Sequence, residues 1–294
     1  MLKRLLAAGA ATALLTGLIS HSTPTKAEAV AAAPAAKPAP SFNPTRFSVE
    51  IRGSGPDVIL IPGLASSRDV WNGTVAGVPG YRYHLIQVNG FAGAPVGGNA
   101  QGKVVSGVAD EIARYIAAKG LKRPALVGHS MGGTVALMVA ARRPELVGKV
   151  RVVDMTPQPA GFVGQSAAGV RGLADTLQAL SATPNGRRLV ESAMEMFGGP
   201  QPRDRRSDTD VVARATHELA VTDLTTELKR IRAPLKVVYA VPTADQRALL
   251  RDRYEAAYRA KADTTLVRFD GSGHMIMIDQ PTKFRAELKS FLGQ

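Results

Sequence analysis

The chain has 294 residues, 45% hydrophobic and 21% charged, enough for one large α/β domain with a core of its own. It has no cysteine, which excludes disulfides and a lipid-modified cysteine, so the fold must rest on its packing. The net charge is +13, but the basic residues are scattered; short clusters such as Arg187-Arg188 and Arg203-Asp204-Arg205-Arg206 carry no interleaved aromatics. That pattern argues against a nucleic-acid partner and for a solvated basic surface, with electrostatic association to an anionic envelope as the alternative.

Lys3-Arg4 precedes an apolar Ala/Leu-rich run over residues 5–19, too short for a full membrane span. Ala27-Glu28-Ala29 places small residues where a signal peptidase cuts, and Thr25-Lys26-Ala27 offers a second site. Residues 1–29 therefore read as a secretory signal peptide cleaved after Ala27 or Ala29. The expected location is periplasmic or secreted. Residues 30–45, with Ala33-Pro34, Lys37-Pro38 and Ala39-Pro40, read as an extended tether. The folded domain is expected over residues 46–294.

Residues 47–51 alternate apolar and polar, as in a half-buried edge strand, and residues 57–61 form a continuous apolar run, as in a strand buried on both faces. The latter ends in Pro62-Gly63-Leu64-Ala65. Trp71, the single tryptophan, falls on a short helix, and residues 83–88 form the next buried strand. Val104, Val108, Ile112, Tyr115 and Ile116 make one stripe of a helix over residues 101–119, stopped by Gly120. Pro124-Ala125-Leu126-Val127 then leads into Gly128-His129-Ser130-Met131-Gly132-Gly133 and a helix. This is a strand, a tight turn carrying a serine, and a helix N-terminus: the arrangement of a nucleophile elbow. Residues 149–154 read as another strand.

Residues 157–230 break the alternation. No apolar run there reads as a buried strand; helices are expected over residues 170–181, 184–196 and 209–220, and the segment reads as a helical cap. Strand and helix then resume: a strand over 234–240, a helix over 244–261, a strand over 264–269 and a closing helix over 281–292 with Pro281 in its first turn. The expected architecture is a mostly parallel sheet flanked by helices, with functional residues at the carboxyl ends of the strands.

A serine hydroxyl needs a base within hydrogen-bond reach and an acid to orient that base. Of the five histidines, His274 lies in the loop after the last strand, Asp270-Gly271-Ser272-Gly273-His274, and follows Ser130 in the required order. His129, next to the serine on a tight turn, points elsewhere and is expected to pack or hydrogen-bond behind the elbow. The acid is assigned to Asp245, after the penultimate strand, with Asp154 as the alternative; Asp223 and Asp270 fit the order but not the placement. The backbone N–H groups of Met131 and Leu64 are the expected oxyanion donors. No metal or organic cofactor is called for.

Ile61-Pro62-Gly63-Leu64 with Trp71, Gly90-Phe91-Ala92-Gly93, the Ser130 elbow, Val153-Asp154 and Gly273-His274 with Asp279-Gln280-Pro281 together resemble the α/β-hydrolase superfamily, in its carboxylesterase-like branch. The resemblance implies an α/β-hydrolase fold with a helical cap, Ser130 as nucleophile, His274 as base, an acid after the penultimate strand, and an oxyanion hole from Leu64 and Met131. Two features depart from the pattern: Pro62-Gly63 replaces the usual His-Gly, and the segment from Ala240 to Asp245 is two residues longer than usual. The expectation is an exported serine hydrolase acting on a small-molecule carboxylic ester. The alternatives are cleavage of an amide, lactone or C–C bond, or a catalytically silent ligand-binding protein on the same fold.

Overall fold

The computed structural model of the protein describes residues 42–181, 183, 185, 186, 188 and 206–293. The expected signal peptide, residues 30–41 of the tether and most of the helix expected over 184–196 lie outside them. Among the described residues no helix is long and apolar enough to cross a membrane.

The strands are β1 (Phe47–Arg52), β2 (Asp57–Ile61), β3 (Arg82–Val88), β4 (Ala125–His129), β5 (Lys149–Val153), β6 (Leu235–Val241) and β7 (Thr265–Asp270). They form one seven-stranded sheet in the order β1-β3-β2-β4-β5-β6-β7. β1 runs antiparallel to β3 and every other pair is parallel. The alternating strand is thus an edge, and β2, β4 and β5, buried along nearly their whole length, occupy the middle, where both faces are covered.

The helices are α1 (Asn72–Gly77), α2 (Val105–Ala118), α3 (Met131–Arg142), α4 (Ala167–Ser181), α5 (Thr209–Val221), α6 (Arg247–Tyr258), α7 (Ile276–Asp279) and α8 (Pro281–Leu292). The two-residue period of the strands divides the core. Ile59 and Ile61 of β2 face α2 and α3, with Ile112, Ile116, Val135 and Leu137. Val58 and Leu60 face the other way, toward Trp71, Phe284, Leu288 and Phe291. Trp71 meets Phe284 with ring centroids 6.3 Å apart, which closes α8 onto the segment after β2.

The described part of residues 157–230 contains α4 and α5 and no strand. His217 of α5 bonds Asp175 of α4 at 2.6 Å. Asp208 caps α5 by accepting from Val211 N at 2.9 Å. The same end of α5 is sewn to the loop after β3. Asp208 N donates to Gly90 O at 2.7 Å, and Ser207 Oγ accepts from Ala92 N at 2.9 Å. Gly90 has φ +88°, and a Cβ there would sit 2.8 Å from Val211 Cγ2, so only glycine lets α5 approach this closely.

Candidate active site

Ser130 occupies a backbone conformation that few non-glycine residues adopt, φ 53° and ψ −121°, between β4 and α3. Its neighbours make the turn possible. A Cβ on Gly128 would fall 2.0 Å from Gly132 O, and one on Gly132 would fall 2.2 Å from Ile61 O. Ser130 N donates to Val153 O and Gly133 N donates back to Ser130 O, at 2.9 and 2.8 Å. The turn is therefore locked by main chain alone, and the serine hydroxyl does not cap α3. Met131 opens α3, so its N–H is one of the first-turn amides that have no acceptor within the helix. The loop after β2 lies against this turn: a Cβ on Gly63 would come within 3.3 Å of Ser130 Cβ.

His274 sits beyond β7, and its Nδ1 is 2.8 Å from Asp154 Oδ2. Asp154 follows β5 with φ 54° and is 2% exposed. Its main chain extends the sheet by one bond, N to Val238 O at 2.8 Å, and its Oδ1 accepts from Ala240 N and Tyr254 Oη, each at 2.9 Å. The acid beside His274 is therefore Asp154, which corrects the assignment to Asp245. β6 continues to Val241, and the chain then turns outward, leaving Asp245 exposed on a 3-10 turn over Ala244–Gln246. A hydrogen bond from Thr243 holds the Asp245 carboxyl below its ordinary range. The visible signal for Asp154 was its place at the carboxyl end of a buried strand next to the elbow strand.

His129 braces the site from behind. Its Nε2 donates to the carbonyl oxygen of His274 at 2.9 Å, and the two rings lie 4.6 Å apart. Burial, reinforced by the neighbouring His274, pushes its pKa down to about 3, so the ring is neutral and its proton is on Nε2. The expectation that it packs and hydrogen-bonds behind the elbow agrees with this geometry; its particular partner, a carbonyl 145 positions away, was not visible in the sequence.

Ser130 and His274 open into one cavity of about 230 Å³, whose walls include Leu64, Met155, Phe162 and Leu219. Phe162 stands over the His274 ring at 5.1 Å. A larger cavity of about 880 Å³ lies between α2, α3, α4 and α5, lined by Lys103, Arg142, Arg171 and Arg214 among others. It contains neither Ser130 nor His274. Arg142 is paired with Glu227 at 3.2 Å, and Arg214 is held by the carbonyls of Asn99 and Gly102. Size alone does not make it the reaction site, because it lacks a nucleophile with a base. Among the described residues no three His, Asp or Glu side chains converge to hold a metal.

Residues 58–287 match the model of the Alpha/beta hydrolase family. A pimeloyl-[acyl-carrier protein] methyl ester esterase from Vibrio vulnificus is 25% identical over 263 residues, 83% of this chain and 97% of that protein. The corresponding enzyme from Aeromonas hydrophila is 32% identical over 111 residues, which span 37% of this chain and 42% of that protein. A crystal structure of a hydrolase from Pseudomonas aeruginosa superposes with a TM-score of 0.64 at 17% identity, covering 84% of this chain and 94% of that one.

Proposed function

The chain belongs to the alpha/beta hydrolase family, and on that premise we propose that it is a serine hydrolase of carboxylic esters, working through Ser130, His274 and Asp154 and an acyl-enzyme intermediate. One observation carries the reading: a serine on a strained turn shares an apolar cavity with a histidine whose far nitrogen is 2.8 Å from a buried carboxylate. The choice of an ester follows the methyl ester esterases that align over most of the chain.

The chemistry follows from the proton positions. A carboxylate only accepts, so His274 Nδ1 carries the proton in that bond, and Nε2 is left with its lone pair. Nε2 takes the Ser130 proton as Oγ attacks the ester carbonyl. The oxygen that becomes negative meets the N–H groups of Met131 and Leu64; one such donor is worth about 3 kcal/mol of barrier. The imidazolium then returns its proton to the leaving alcohol, and the carbonyl re-forms as an acyl-serine. Water enters along the same path, with Nε2 as base, and releases the acid and free Ser130. The cavity of about 230 Å³, walled by Leu64, Met155, Phe162 and Leu219, suits a small apolar acyl or alkyl group. We also place this activity outside the cytoplasm, from the composition of residues 1–29.

A fluorophosphonate probe and a short p-nitrophenyl ester test the reading. Wild type is expected to be labelled and active, and Ser130→Ala neither. Asp154→Asn leaves the histidine in the wrong tautomer and is expected to lose about 10⁴-fold in kcat, while Asp245→Asn stays within about twofold of wild type. An unlabelled folded wild type overturns the enzyme reading. Loss of activity in Asp245→Asn alone overturns the acid.

A further inference from the structure

The Asp154 carboxylate has two oxygens and three donors. His274 takes Oδ2, and Oδ1 is shared by the N–H of Ala240 and the hydroxyl of Tyr254. Tyr254 is on α6 and is 1% exposed. Its ring stacks on Tyr239 of β6, with centroids 4.5 Å apart and planes at 21°. One helical turn later Tyr258 donates its hydroxyl to Met155 O at 2.7 Å. The spacing of four puts both phenols on one helix face, and that face reaches two consecutive residues at the exit of β5. The clamp falls where the backbone is unusual: Asp154 holds a positive φ, a conformation that aspartate tolerates better than most residues.

Resting on the proposed triad, we propose that Tyr254 is a positioning residue of the site: its buried hydroxyl fixes the Asp154 carboxylate so that Oδ2 faces His274, and tempers the charge that His274 meets. Both phenols remain donors, since burial and the nearby Asp154 push them well above the ordinary tyrosine range. The other titratable groups around this pair are His274, His129, Tyr239 and Arg253. A purely packing role would need only the ring. The hydroxyl adds a second donor to an oxygen already satisfied by the sheet, and that donor is aimed at the group that orients the base.

Tyr254→Phe keeps the ring and removes the donor. The expected result is a loss of about tenfold in kcat with KM little changed, because the cavity walls are untouched. The acid limb of the kcat/KM profile should also move to higher pH. A carboxylate that has lost a donor holds a charged imidazole more strongly, and the reaction needs that imidazole neutral, so activity is lost earlier as pH falls. Tyr258→Phe is the control: it removes a bond to a backbone carbonyl, so it lowers the thermal midpoint and leaves the acid limb in place. 3-Fluorotyrosine at position 254, a stronger donor of nearly the same shape, should move the limb to lower pH, and keeps the question open to test if the Phe variant folds poorly. Acid limbs that coincide in wild type and both position-254 variants overturn the role of Tyr254. A fully active Asp154→Asn variant instead overturns the triad, and this inference with it.

Discussion

Burial takes His129 out of the range in which histidine normally titrates. Its pKa falls to about 3 in the fold, where a free side chain would sit near 6.5. Below pH 6.5 the unfolded chain therefore binds a proton that the folded chain refuses. The stability tied to the neutral ring is fully present above about pH 6.5 and is lost progressively as pH falls toward 3, at about 1.4 kcal/mol per unit. His129→Asn removes the titrating group and keeps a side chain able to donate to the His274 carbonyl. Between pH 6.5 and 4.5 wild type should lose roughly 2–3 kcal/mol more than this variant in urea unfolding; parallel curves would count against a neutral, enclosed His129. The bracing role is legible from the place of His129 on the tight turn, but its partner is not, because that carbonyl is brought in from the far end of the chain. Ser130 and His274 were legible for the opposite reason. One is announced by the glycines that its own turn requires, and the other by the strand before it and the helix after it. The carboxylate beside His274 lay between these cases. Both Asp154 and Asp245 follow strands, and only the geometry of exit distinguishes them: a residue held in the sheet edge by its own N–H against one turned out into solvent.

Helix boundaries show the same division between local and distant causes. α8 begins at Pro281, as its sequence predicts, since proline at the first turn forfeits an N–H that has no partner there anyway. α2 was expected from residue 101 and begins at Val105. Its apolar stripe is legible, but its start is not, because no residue at that end caps it. Gly102 breaks the helical path with φ +72°, and Glu218 of α5 supplies the cap from another helix. Its carboxylate accepts from Val105 N at 2.8 Å, Ser106 N at 2.9 Å and Ser106 Oγ at 2.6 Å, with 8% of the residue exposed. A carboxylate there answers both the free amides and the positive end of the helix. Glu218→Gln retains one acceptor oxygen, removes the charge and places an NH₂ against donors. It is expected to cost about 2 kcal/mol and to speed hydrogen exchange at Val105 and Ser106. An unchanged thermal midpoint with unchanged exchange would show that these bonds are solvent-replaceable. The same contact ties α5 to α2, so the variant should also raise KM if α5 drifts from the cavity wall at Leu219.

At the scale of the whole molecule, the sheet order was legible as a class rather than strand by strand. Alternating strands and helices with right-handed crossovers leave few arrangements, and β1 lies antiparallel at one edge, as its half-polar pattern suggests. All of the proposed reacting groups fall between Leu64 and His274. A chain cleaved after Ala27 or Ala29 would therefore carry the complete site. It would also need no oxidative step to reach its fold, since it has no cysteine to pair. These facts make export separable from activity. Expressed in full in a bacterial host, the chain should be recovered from the periplasm or medium with its N-terminus at Glu28 or Val30, by intact mass and terminal sequencing. A version lacking residues 2–29 should stay in the cytoplasm and hydrolyse the same ester at the same kcat. Reversing the charge of Lys3 and Arg4 in the full chain should slow cleavage, because the positive n-region orients the apolar run for translocation. Full-length, uncleaved protein in the cytoplasm would refute export and leave the hydrolase reading standing. An inactive, well-folded truncated chain would instead show that the site draws on residues before the described fold.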